Sequence, residues 1–243
     1  LINELKSLGL NMTYKDEVTE GVFFKMKVVL TGTLASYTRD EAKDIIEKVN
    51  EKRNENNAFV KHLREMGHES PLEHASFTFG IDGVSRALTH QLVRHRIASF
   101  SQQSQRYVDG NNFDFVIPHE IEKNPNLKKA FSDYMNNAKD FYNALVANGV
   151  KKEDARYILP NATTTNIVVT MNVRELLHFF SLRCCTRAQW EIRELAWEML
   201  KICRSIAPSI FNDCGAFCDQ HHYCKEGNMS CGRYPTLTQL FKS

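Results

Sequence analysis

Two short stretches restrict the fold of this chain more than any other feature. Over residues 75–81, Ala75, Phe77, Phe79 and Ile81 alternate strictly with Ser76, Thr78 and Gly80. Successive side chains of a strand point to opposite faces, so this pattern buries one face and leaves the other polar. Ile167, Val169, Met171 and Val173 repeat the alternation. Between and after these strands the period changes. Val84, Ala87, Leu88 and Leu92 recur at helical spacing and predict a helix over 85–96, whose other face carries Arg86, His90, Arg94 and His95. Phe59, Leu63 and Met66 predict a short helix stopped by Gly67. A long helix or helix pair is expected over 125–149, and two apolar-rich helices over 174–186 and 189–206, the last stopped by Pro208. Half-buried strands set among helices define an α+β class, with helices packed on a modest, mostly antiparallel sheet.

The first fifty residues have a different character. Residues 27–31 read as a short strand, followed by a turn through Gly32 and a helix over 39–53 with Thr38 as its N-cap. Asn54-Glu55-Asn56-Asn57 is a polar hinge, which divides the chain into a segment over 1–53 and a domain over 54–243. From about residue 213 the tail is rich in Cys and Gly and is expected to be irregular. The chain starts at Leu1 rather than Met, which reads as a processed chain, a fragment or a joined reading frame.

With 243 residues, 42% hydrophobic and 25% charged, a folded core is expected and wholesale disorder is excluded. A formal charge of +2 is too small for general polyanion binding, so recognition of a phosphate must come from a local cluster. The seven cysteines are accompanied by no signal peptide and by no apolar run near the ~20 residues that span a bilayer. That pattern reads as a cytoplasmic protein with reduced thiols, not a membrane protein. Cys214, Cys218, Cys224 and Cys231, with His221 and His222, lack the tight CxxC pairs of structural zinc sites, so no metal is expected. Cys184 and Cys185 read as packing residues.

One window carries the chemistry. Residues 83–108 hold Arg86, Arg94, Arg96 and Arg106 with His90 and His95, and no Asp or Glu. A guanidinium binds phosphate through a planar fork and keeps its charge at any working pH, so the cluster favours an anionic ligand over a merely solvated face. Ser99, Ser101, Gln102, Gln103, Ser104 and Gln105 add donors and acceptors suited to a sugar and a nucleobase.

Arg94-His95-Arg96, seven intervening residues, Ser104 and then Arg106-Tyr107 resemble the signature of flavin-dependent thymidylate synthases. Three further segments resemble that family in the same order. They are Gly67-His68-Glu69-Ser70-Pro71-Leu72-Glu73-His74, Ala155-Arg156-Tyr157-Ile158-Leu159-Pro160, and Leu182-Arg183 followed by Ala188-Gln189-Trp190-Glu191. The resemblance covers residues 54–232. It implies the family's fold and its reaction: reductive methylation of dUMP to dTMP with 5,10-methylenetetrahydrofolate as one-carbon donor and FAD, recharged by NADPH, as reductant. It also implies a homotetramer whose active sites lie at subunit interfaces.

Carried over by motif position, the dUMP site comprises Gln91, Arg94, Gln102, Gln103, Ser104, Gln105, Arg106, Arg156 and Arg183. Arg94, Arg106 and Arg156 are the phosphate and sugar ligands. Arg183 is the main catalytic residue, its fixed cation stabilising charge on the uracil ring. The FAD site comprises Ser70, Arg94, His95, Arg96, Gln102, Asn172, Arg174 and His178, with Glu73 nearby and His68 a candidate for proton handling or flavin contact. Such synthases need no protein nucleophile on the pyrimidine, so Ser104 is read as an orienting group. The head departs from the family. Val28-Val29-Leu30-Thr31-Gly32-Thr33-Leu34 and Thr38-Arg39-Asp40-Glu41-Ala42-Lys43 resemble the opening of the BRCT domain of bacterial NAD-dependent DNA ligases, cut off near Val49. No nucleic acid partner is expected, yet the ligase-like head and basic window leave two alternatives, a DNA-binding module and an inactive product of a joined reading frame.

Overall fold

The computed structural model describes residues 56–107 and 113–241. The strand, turn and helix expected over 27–53 therefore lie outside the described residues, as does the ligase-like reading of the head. Helix α1 (Asn56–Glu65) ends just before Gly67, as its sequence predicts. Gly67 has φ 76°, a left-handed conformation that costs a side-chain-bearing residue roughly 1–2 kcal/mol.

Strand β1 (Ser76–Ser85) extends past the expected end at Ile81, and its inward alternation stops where Asp82 and Gly83 are both exposed. Ser85 explains the longer strand. Its backbone is extended while its Oγ accepts from the Leu88 amide at 3.0 Å, so one residue closes the strand and caps helix α2 (Arg86–Leu92). The helix expected over 85–96 is shorter than predicted. After Leu92 the chain tightens, with Arg94 N bonding Gln91 O and His95 N bonding Leu92 O.

Strand β2 (Ala98–Gln102) was not legible from periodicity, because serines and a glutamine hide it. It runs antiparallel to β3 (Thr164–Asn172), with Ala98 opposite Met171 and Gln102 opposite Ile167. The order β1-β3-β2 puts β3 in the centre. Thr78 bonds Thr170 and Gly83 bonds Asn166 across β1 and β3, so residue numbers run in opposite senses there too. Central placement suits β3, whose Ile167, Val169 and Met171 are essentially fully buried.

Helix α3 (Pro125–Ala147) is a single helix, started by Pro125 and by Asn124 Oδ1, which accepts from the amides of Asn126 and Leu127. Met135 and Tyr142, seven residues apart on one face, are fully buried. Helices α4 (Val173–Arg183) and α5 (Trp190–Ile206) are capped by Asn172 and Gln189. Pro208 does more than stop α5, because it opens a helical turn, Pro208–Phe211. Arg64 Nη1 donates to Ile210 O at 2.7 Å, and Arg204 Nη2 to Cys214 O at 2.6 Å, which satisfies carbonyls that the turn leaves open.

The tail is more ordered than its composition suggests. It holds the turns Phe217–His221, Gly227–Met229 and Leu237–Leu240, and a bridge between Cys224 and Thr236. Arg233 fastens it, pairing with Asp219 at 3.0 Å and donating to Cys218 Sγ at 3.4 Å.

The chain divides into two compact units, one within residues 1–77 and 172–243, the other within 78–171. The first buries Leu72, Phe77, Leu176, Phe179, Phe180, Ile192, Leu200 and Phe211; the second buries Phe79, Leu88, Leu92, Met135, Tyr142, Ile167 and Val169. No helix among the described residues is long and apolar enough to cross a membrane.

Candidate active site

Within the unit over 78–171, the basic window folds into a connected set of hydrogen bonds. Gln102 Nε2 donates to Thr89 Oγ1 at 2.9 Å, and Thr89 Oγ1 donates to Arg86 O at 3.0 Å. The next residue, Gln103, is held on both sides: its amide bonds Asn166 O at 2.9 Å and its carbonyl accepts from Arg86 Nη2 at 2.7 Å. Ser104 Oγ accepts from the Arg106 amide at 3.2 Å, a local turn that fits an orienting group. Arg106 pairs with Glu153 at 3.0 Å, and Arg156 Nε donates to the Glu153 carbonyl at 3.1 Å. Glu153 thus spaces two of the expected nucleotide ligands. Its ion pair is largely exposed and contributes only about 0.2–1 kcal/mol, so an incoming anion can replace it.

Burial first, and the Arg156 guanidinium second, hold the Arg86 pKa below the ordinary arginine value. Arg94 and Arg96 are exposed, whereas His95 between them is 5% exposed. The expected polar face shared by His90, Arg94 and His95 is thereby corrected: the early end of α2 rotates His95 inward. Gln91, Ser104 and Gln105 are half-buried, and Gln103 and Arg106 are exposed.

The unit over 1–77 and 172–243 holds the other candidates. Ser70 opens the tight turn Ser70–His74 and is exposed, as is His68. Asn172 uses its side-chain oxygen to cap α4 through the Glu175 amide at 2.9 Å, which leaves its NH₂ as the donor for a ligand. Arg174 lies two residues further on and is paired with Glu69 at 3.1 Å and with Glu73. Hydrogen bonding to Glu73 raises its pKa above the usual arginine value. His178 is exposed on the same helix.

Arg183 ends α4, where a cation complements the carbonyl end of the helix dipole. It is half-buried and lines a cavity of about 180 Å³ with Arg187, Phe217, Cys218, Cys224 and Lys225. The neighbouring thiol of Cys184 is pushed up to about 12 by burial, and burial likewise pushes Cys214 up to about 11. Both stay neutral in the working range, which fits packing residues. Cys231 is the opposite case: it is exposed, and the Arg233 amide followed by the Thr186 side chain lowers its pKa. Alkylation by iodoacetamide of the native protein near pH 8 is therefore expected to label Cys231 well before Cys184 or Cys214, read by peptide mass. Between the ordinary thiol value of 9.0 and about 12, Cys184 ionises only in the unfolded chain, so rising pH through that window favours unfolding. Among the described residues no group of three or more His, Cys, Asp or Glu side chains is placed to hold a metal ion.

The family described as "Thymidylate synthase complementing protein" matches residues 25–209. The chain belongs to this family. It is 54% identical over 187 residues to the flavin-dependent thymidylate synthase of Geobacter sulfurreducens, covering 76% of this chain and 80% of that one. It is 53% identical over 192 residues to the enzyme of the same name from Nitratidesulfovibrio vulgaris, covering 75% and 78%. With that of Clostridium tetani it shares 43% over 254 residues, covering 96% and 99%. The family match begins at residue 25, inside the stretch read as ligase-like, and the last alignment takes in nearly the whole chain. The ligase-like reading of residues 1–50 finds no support in these relatives.

Within this family framework, the structure joins Gln102, Gln103, Ser104, Arg106 and Arg156 in one unit, with Gln91, Arg94, His95 and Arg96. Ser70, Asn172, Arg174, His178 and Arg183 belong to the other unit. Sequence reasoning missed Glu153 and gave Arg86 only a place on a basic face. The signal for Glu153 was its position three residues before Arg156; nothing in the sequence announced that it would pair with Arg106.

Proposed function

We propose that this chain methylates dUMP to dTMP, taking the one-carbon unit from 5,10-methylenetetrahydrofolate and the reducing equivalents from NADPH through FAD. The observation that carries this reading is the carboxylate-free arginine window. It is folded as β2 and a pinned turn, in a chain 54% identical to a protein named for that chemistry. Bound FAD supplies hydride transfer. Each unit by itself offers donors that suit a flavin dinucleotide: in the unit over 78–171 the exposed guanidiniums of Arg94 and Arg96 suit a pyrophosphate, and in the other unit Ser70, His178 and the Asn172 NH₂ suit neutral oxygens beside Arg174.

This chain's own residues bind and orient. Arg94, Arg106 and Arg156 take the nucleotide phosphate and sugar, and Ser104 with Gln102, Gln103 and Gln105 shapes the turn around them. Gln91 supplies a further polar contact. Arg183 faces the uracil edge and stabilises the negative charge that develops as C5 becomes nucleophilic. Neutral Cys184 has no part in the chemistry. The assembly is a homotetramer in the cytoplasm, with sites built across subunits. A DNA-binding module is not favoured, because Arg106 and Arg156 are already organised by Glu153 into a compact pair rather than spread along a face.

The test is release of tritium from 5-tritiated dUMP by the purified chain, with and without FAD, NADPH and methylenetetrahydrofolate. Release that needs all three is the expected result. Release without flavin, or none with all three present, sinks the assignment.

A further inference from the structure

Thr89 lies outside the motif positions that define the site, yet it is 1% exposed and its hydroxyl is engaged on two sides. A hydroxyl carries one proton, and this one goes to the Arg86 carbonyl at 3.0 Å, an oxygen that can only accept. Thr89 Oγ1 therefore has no proton left, and its second partner must be a donor. That partner is the Gln102 carboxamide at 2.9 Å. Only the NH₂ end of a carboxamide donates, so Thr89 decides which way the amide faces: Nε2 toward the hydroxyl and Oε1 away from it. Among the described residues no donor reaches Oε1. The backbone around it is fixed as well, since Gln102 pairs with Ile167 in the ladder and Gln103 is held by Asn166 O and Arg86 Nη2. A bond from a helical threonine to the carbonyl three residues back satisfies the hydroxyl locally. The second bond, to a side chain thirteen positions away at the end of β2, is not needed for that purpose.

We propose that Thr89 is a positioning residue for ligand recognition: it locks the Gln102 carboxamide so that Oε1 accepts from a ring imide N–H. The inference rests on the dUMP and FAD reading above, in which Gln102 belongs to both sites. Uracil and the flavin ring each carry such an N–H at N3, between two carbonyls. Cytosine has a lone pair at that position, so a locked acceptor rejects it, whereas a carboxamide able to turn over offers its NH₂ and tolerates it. Thr89 thereby sets selectivity without touching the ligand.

The experiment uses the full-length protein, unaltered and as Thr89→Val and Thr89→Ser. One arm compares dUMP with dCMP by calorimetry on the FAD-loaded chain; the other compares FAD with 3-methyl-FAD by reconstitution. Thr89→Val keeps the shape and removes the hydroxyl. It is expected to lower the preference for the N–H ligand by about fivefold to tenfold, the worth of one hydrogen bond in a partly buried site, and Thr89→Ser is expected to restore it. A fall confined to the dUMP and dCMP pair assigns the imide to the pyrimidine, and a fall confined to the flavin pair assigns it to FAD. If Thr89→Val does not fold or sheds its flavin, Thr89→Ala decides by the same two ratios. Both ratios unchanged, with all ligands weakened alike, or no restoration by Thr89→Ser, overturns the role of Thr89 alone. An unaltered chain that binds dUMP no better than dCMP and FAD no better than 3-methyl-FAD overturns the underlying reading of the site as well.

Discussion

Replacing Arg183 by alanine is expected to lower kcat for tritium release and dTMP formation by about 10²–10³-fold, the usual loss when one preorganised group that stabilises developing charge is removed. The expectation follows from where the side chain sits. Arg183 is half-buried at the carbonyl end of α4 and lines a small cavity with Arg187 and Lys225. A charge in partly desolvated surroundings acts more strongly than one in bulk water, so its removal affects the reacting state more than ligand capture. KM for dUMP should therefore change less than kcat, since Arg94, Arg106 and Arg156 carry the phosphate in this reading. Helix content and flavin binding should persist, because the side chain is not part of the apolar core. Arg183→Lys restores a cation without the fork and is expected to regain only part of the rate. Turnover near that of the unaltered chain in Arg183→Ala would remove Arg183 from the catalytic role.

How far the sequence disclosed this arrangement depends on which physical signal each residue carried. Strands β1 and β3 were legible because half-buried strands force period-two alternation, and the phenylalanines and aliphatic residues obey it. Caps were equally legible in principle: Asn172 before Val173-Arg174-Glu175 and Asn124 before Pro125 each supply the side-chain oxygen that a helix start needs. Strand β2 escaped, since its inward positions Ala98, Phe100 and Gln102 include a polar residue whose amide is satisfied by Thr89, a contact thirteen positions away. The inward turn of His95 escaped for a related reason. Helical periodicity was extrapolated past Leu92, where only backbone bonds to Gln91 and Leu92 announce the break. Glu153 could not be assigned a partner at all, because its pairing with Arg106 spans a separation that no local pattern encodes. The identities of the site's arginines were therefore readable, while their mutual organisation required the fold.

The largest stability loss is expected at Phe211. Its ring is fully buried and meets Phe77 edge-on at 5.6 Å and Phe180 at 6.0 Å, so truncation removes packing from two other aromatic rings at once. Phe211→Ala should cost about 3–5 kcal/mol, the range for deleting a buried aromatic ring and leaving a cavity. Edge-to-face pairs add about 0.5–1.5 kcal/mol beyond burial, which places Phe211 toward the upper end. Collapse is resisted because the turn that carries Phe211 is tied down twice, by Arg64 to Ile210 O and by Arg204 to Phe211 O. The urea midpoint should fall accordingly. Phe131→Ala is the matched control: that ring also meets an aromatic partner, Phe115 at 6.1 Å, but it is only half-buried, so its cost should be less than half as large. Equal midpoints for the two variants would mean that burial at Phe211 does not hold this unit together. A lower midpoint for Phe211→Ala, with activity per folded molecule retained well below the transition, separates core packing from chemistry. Phe180 lies one turn before Arg183 on α4, so the same packing that resists unfolding also fixes the helix end from which the proposed catalytic cation projects.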